Sequence, residues 1–238
     1  MRKLSLALLP TLVLAAAPEA PVKKAFPFPI HQKTLANGLK VVVIPTGMAN
    51  LVSLQIPVST GSRNEVEPGK SGFAHFFEHM MFRGTDQVSP AQWNLTLQRT
   101  GAAQNAYTSD DLTNYYTLCG KEDLDTWLRL EADRFQHLHY GENEFKDESR
   151  AVLGEYNKNS SNPLSKLFEA QRDAAFSTHT YKHTTMGFLK DIEDMPNQFA
   201  YSLDFFRRWY RPDNATVILV GDLDPATAFP MVEKHFAV

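Results

Sequence analysis

The segment Gly72-Phe-Ala-His75-Phe-Phe-Glu78-His79-Met-Met-Phe82 constrains the fold of this chain more than any other. Phe73, Phe76, Phe77, Met80, Met81 and Phe82 crowd around two histidines and a glutamate, which implies burial. Buried charged groups need partners or a metal. Ser71 and Gly72 are expected to open a helix running roughly to Phe82. On a helix, residues four apart share a face, so His75 and His79 can point at a common atom. Two imidazoles one turn apart suit zinc, whose nitrogen ligands sit at about 2.0–2.1 Å. Glu78 lies beside that face, where a carboxylate can reach a metal-activated water without being a ligand. This is HxxEH, the reversed counterpart of HExxH. Chance would produce it in only on the order of one per cent of chains this long.

A catalytic zinc site needs three protein ligands and an open position. Cys119 is the single cysteine, so no Cys-based site and no intrachain disulfide can form. The third ligand should be a carboxylate or histidine from another element. Glu148 and Glu155, seven residues apart, share one face of a helix expected over about Glu142 to Asn157. One can ligate while the other supports the site from behind. Periodicity does not choose between them. His31, His137, His139, His179, His183 and His235 show no metal-binding pattern and read as surface or structural.

Around this helix, the chain shows strand signals first and helix signals later. Asn37-Gly38, between His31–Ala36 and Leu39–Ile44, is a hairpin signal. Leu51–Val58 reads as a strand that Pro57 places at an edge or a strand end. Ser89, Pro90 and Gln92 form a helix start with a capping box, and Gly101 closes that helix. Leu112–Leu118, rich in Thr and Tyr, reads as a strand. Helical stripes follow at Leu124 to Leu138, after Pro163, and from Phe199 to Tyr210, stopped by Pro212. Ala215–Val220 reads as a strand buried on both faces, and Asp224-Pro225 starts a last helix. This partial segregation predicts an α+β domain over residues 31–238, with helices packed on one face of a mainly antiparallel sheet.

Arg2 and Lys3, the apolar stretch Leu4–Ala17 and the small residues ending it have the order of a secretory signal peptide, here over residues 1–20. The stretch is too short to span a bilayer, which takes about 20 apolar residues. Export, to a periplasm or out of the cell, is the expectation, and residues 21–30 read as an extended lead-in. A formal net charge of -3, with no basic run, gives no reason to expect nucleic acid.

The stretch from Gly72 through Phe82 to Arg83-Gly84-Thr85 resembles the signature of the M16 metallopeptidases, the pitrilysin, insulin-degrading and mitochondrial-processing group. The resemblance takes in Leu35-Ala-Asn-Gly-Leu39, Asn105-Ala-Tyr-Thr108, Glu148 through Glu155, Tyr210-Arg-Pro-Asp-Asn-Ala215 and Gly221-Asp222, in the family's order. It implies that Glu155 is the third ligand of one zinc ion per chain, Glu148 an accessory acid, and Glu78 the catalytic base. It also implies that Asn105 and Ala106 lie on a strand beside the metal, where substrate backbone is held by strand addition. Without it, they would read as a turn before a strand.

The implied activity is zinc-dependent hydrolysis of peptides or unfolded segments, a metal-activated water attacking the scissile carbonyl. Two other readings compete. Some family members are non-catalytic binding or assembly subunits, but such members usually lose HxxEH and the matching glutamate. A lyase acting on S-ribosylhomocysteine also uses HxxEH, but it would need no signal peptide and would not match the motifs after Glu155. Members of the M16 group resemble two such domains closing around a substrate. Only the zinc-bearing half is read by Val238, so the chain is expected to be a fragment or to need a second M16 domain or subunit.

Overall fold

Asn37-Gly38 does turn the chain between two strands. The computed structural model describes residues 26–237. In it, β1 (His31–Thr34) pairs antiparallel with β2 (Lys40–Pro45), Thr34 opposite Lys40. The turn is longer than two residues. Leu35 N–H donates to Leu39 O at 2.8 Å around Ala36-Asn37-Gly38, and Gly38 takes a φ of +91°, which glycine adopts without penalty.

The remaining strands are β3 (Leu51–Val58), β4 (Ala103–Thr108), β5 (Thr113–Gly120) and β6 (Thr216–Gly221). They complete one sheet in the order β1-β2-β6-β3-β5-β4. Every neighbouring pair is antiparallel except β2 and β6. The α+β expectation therefore holds, with one parallel seam.

Of the two places that Pro57 allowed for Leu51–Val58, the structure takes the strand end: Pro57 is the penultimate residue of β3, which lies between β6 and β5 and is not an edge. Pairing with β5 runs through it, Pro57 opposite Asn114, while regular pairing with β6 stops at Gln55 and returns only as the single bridge Val58–Ala215. The expectation that β6 is buried on both faces is corrected. Val217 and Leu219 are buried while Thr216, Ile218 and Val220 are half-buried, the alternation of a sheet covered by helices on one side.

The helices are α1 (Phe73–Met80), α2 (Pro90–Thr100), α3 (Leu124–His137), α4 (Glu142–Ser160), α5 (Pro163–Ala175), α6 (Leu189–Asp194), α7 (Phe199–Trp209) and α8 (Pro225–Phe236). α6 and β4 carry little local signal and are additions to the propensity reading. α1 is only eight residues long, whereas isolated helices below about 12–15 residues are marginal in water. Packing fixes it instead. Phe73, Phe76, Phe77 and Met80 are fully buried, and burying such a side chain contributes about 1.5–3 kcal/mol. Phe77 stacks on Phe205 of α7, Phe76 meets Phe145 of α4 edge-on, and Tyr115 of β5 donates to Phe77 O. Phe82 departs from the buried stripe and is 36% exposed. α1 is thus wedged between β5, α4 and α7, with its histidine face toward α4.

The signal-like residues 1–20 lie outside the described residues, and Phe26–Ile30 run exposed, with no strand or helix, into β1. Among the described residues no helix is long and apolar enough to cross a membrane.

Candidate metal centre

The four-residue spacing of His75 and His79 brings their Nε2 atoms to 3.2 Å from each other on α1. α4 runs alongside and presents two carboxylates at different heights. Seven residues along a helix is about 10.5 Å, so Glu148 and Glu155 reach different edges of the same imidazole. Glu155 Oε2 lies 3.3 Å from His79 Nε2 and 3.6 Å from His75 Nε2. Glu148 Oε1 lies 2.9 Å from His79 Nδ1, and Arg83 Nε also donates to Glu148. The tertiary structure therefore separates two glutamates that periodicity left equivalent.

His75, His79 and Glu155 each offer one ligand atom, all within 4.8 Å of one another. Two imidazole nitrogens and a carboxylate oxygen are a common zinc donor set. Two Nε2 atoms at 3.2 Å, with a carboxylate oxygen 3.3 and 3.6 Å away, leave room for one cation to take a lone pair from each. The residues present fit a zinc ion, and the other histidines lie outside the cluster. His183 is not a surface residue, being 5% exposed.

The two histidines sit in opposite electrostatic surroundings. Burial, reinforced by the charge of His79, pushes His75 down to about 4 and keeps it neutral as a ligand must be. The hydrogen bond to Glu148 raises His79 despite burial. Burial works to raise Glu148, but the bonds from His79 and Arg83 outweigh it and hold the carboxyl below its ordinary range. Burial raises Glu78, opposed by a hydrogen bond from Thr108 and by the His79 charge.

That bond, Thr108 Oγ1 to Glu78 Oε2 at 2.7 Å, involves a residue to which the sequence reading gave no role. The missing signal is strand alternation: once 103–108 is a strand, Thr108 shares a face with Gln104 and Ala106. Arg83 was likewise unassigned, and nothing local marks it beyond lying four residues after His79 on the chain. Asn105, with Glu78, His79, Phe82, Arg83, Pro90 and Glu148, lines a cleft of about 420 Å³. Ala106 is buried beside it, its N–H bonded to the Asn105 side chain. Both sit on β4, the outer strand of the sheet at this end.

The family model described as Insulinase (Peptidase family M16) matches residues 40–188, and that described as Peptidase M16 inactive domain matches residues 201–238. Zinc protease PqqE of Helicobacter pylori is 33% identical over 211 residues, covering 87% of this chain and 47% of the relative. The crystal structure of a protease from Helicobacter pylori superposes with a TM-score of 0.85 at 32% identity, covering 88% of this chain and 50% of that one. The periplasmic protease PqqL from Escherichia coli gives a TM-score of 0.76 at 26% identity, with 87% of this chain and 24% of that one covered. This chain thus spans about half the length of the curated relatives it matches.

Proposed function

Because this chain belongs to peptidase family M16, we propose that it is the metal-bearing domain of an exported zinc endopeptidase acting on peptides or unfolded segments. The observation that carries this reading is the convergence of His75, His79 and Glu155 within 4.8 Å beside the half-buried carboxyl of Glu78. His75 Nε2, His79 Nε2 and Glu155 would hold one zinc ion per chain. Zinc, when bound, supplies Lewis acidity to the scissile carbonyl and to water.

The chain's own groups do the rest. Glu78, as base, takes the proton of the attacking water and returns it to the leaving amine. Burial raises its pKa, the direction that suits a carboxyl which must both take a proton and give it back. Glu148 acts through His79, accepting at Nδ1 so that Nε2 keeps a lone pair for the ligand position. Asn105 and Ala106, on outer strand β4, would hold substrate backbone by strand addition. A second M16 domain or homologous subunit would close over the cleft, a reading supported by the half-length coverage of the relatives.

Cleavage of a quenched-fluorescence peptide library by the zinc-loaded chain, beside Glu78→Gln, tests the reading. Activity that vanishes in the variant is the expected result. Cleavage undiminished in Glu78→Gln would overturn the role of Glu78. Stoichiometric zinc with no cleavage in either protein would make the chain a half-enzyme that needs its second domain, or a binding subunit.

A further inference from the structure

The N-terminus of α1 is held in an unusual way. Helix N-termini leave their first N–H groups without intrahelical partners. The N-cap of α1, Gly72, has no side chain to accept them and no side-chain cap bond. Glu65 supplies the acceptors from outside the helix. Its Oε2 accepts from Gly72 N at 2.8 Å and its Oε1 from Ala74 N at 2.7 Å, the residue just before His75.

A second carboxylate grips the residue on the other side of Gly72. Asp191 Oδ2 accepts from the Ser71 hydroxyl at 2.7 Å and from Ser71 N at 3.3 Å, while Ser71 Oγ accepts from Phe188 N at 2.8 Å. Glu65 is 4% exposed and Asp191 5%. The backbone between them has no slack. A Cβ on Gly187 would lie 2.8 Å from Gly72 N, and one on Gly72 would lie 3.1 Å from Met186 O. Two buried acids at one helix end are costly to keep unless their bonds matter, and anionic groups at a helix N-terminus also meet its partial positive charge.

Resting on the metal-centre reading above, we infer that Glu65 and Asp191 are positioning residues that clamp the N-terminus of α1 and so set the direction in which His75 and His79 face Glu155. An eight-residue helix carries both histidines, and functional constellations tolerate only about 0.5 Å or 10–20° of error. A small rotation of α1 about its axis would move both imidazoles away from α4 together. Burial pushes the Glu65 carboxyl up to about 8, against the pull of the Ala74 and Gly72 donors. As a carboxylate it accepts at both oxygens. An amide at this position offers one acceptor only.

The test compares the full chain with Glu65→Gln, Asp191→Asn and the remote core variant Val232→Ala on α8. Three properties are read: Co2+ affinity by competition with a chromophoric chelator, the visible spectrum of bound Co2+, and hydrogen exchange at the Gly72 and Ala74 amides without metal. Glu65→Gln should lose amide protection, bind Co2+ about 10- to 100-fold more weakly and show an altered spectrum. Asp191→Asn, which keeps an acceptor for Ser71, should move all three in the same direction by less, and it carries the test if Glu65→Gln does not fold. Val232→Ala should lower thermal stability and leave the Co2+ spectrum and affinity unchanged. A chain that binds no Co2+ even unmutated would sink the metal-centre reading and this inference with it. Normal Co2+ binding and spectrum in the folded clamp variants, or the same losses in Val232→Ala, would overturn the inference alone.

Discussion

Thr108 and Glu148 each touch one member of the HxxEH set, and the two contacts act in opposite chemical senses. The Thr108 hydroxyl donates to Glu78 and favours its carboxylate. Thr108→Val removes that donor, so the Glu78 pKa should rise further and the base should stay protonated to higher pH. The acid limb of kcat/KM should therefore move up in pH, with the alkaline side unchanged, and a pH–rate profile checks it. Glu148 holds His79 by Nδ1. Glu148→Gln should weaken zinc binding about 10- to 100-fold, the usual effect of removing a partner behind a metal ligand, as read by chelator competition. His75, Glu78 and His79 are legible in the sequence because one helical turn fixes their geometry. Thr108 and Arg83 are not, because their contacts cross between elements. The choice of Glu155 over Glu148 as ligand came from family resemblance, and the structure adds a physical reason in their different heights along α4.

At the scale of elements, the strong periodic helices and the Ser89 capping box were readable, with the Ser89 side chain accepting from Gln92 N and Gly101 in the left-handed region. β4 was readable only through resemblance. Ala103-Gln-Asn-Ala-Tyr-Thr108 has little β-branched or apolar alternation, and it is a strand because β5 offers it a ladder from Ala103 to Thr108. Pro57 marks the end of β3 but not a sheet edge, because β6 comes in beside β3 from the far end of the chain. Gly72 is the backbone position on which α1 most depends. It takes a φ of +95° and faces Met186 O. Gly72→Ala should cost about 1–2 kcal/mol from the left-handed conformation alone, with more from the close contact. A fall in thermal midpoint of several degrees, with reduced zinc affinity, is the expected outcome.

Over the whole molecule, partial segregation of strands and helices was enough for the α+β class. The strand order was beyond it, because β6 enters the middle of the sheet between β2 and β3 from the far end of the sequence. That insertion makes the one parallel seam and leaves β4 as the outer strand beside the cleft. The coverage of relatives by about half their length belongs to this scale too. Co-expression with a homologous second M16 domain should raise kcat/KM for peptides while zinc stoichiometry stays at one per chain. Equal activity with and without that domain would count against a closing chamber.

The central claim is that α1 and α4 together make one zinc site from His75, His79 and Glu155. The most direct measurement is calorimetric zinc titration of the purified metal-free chain beside Glu155→Ala. One tight site in the unmutated chain, lost or weakened by orders of magnitude in the variant, is the result this account requires. Equal zinc affinity in the two proteins, or no zinc binding by the unmutated chain, would contradict it.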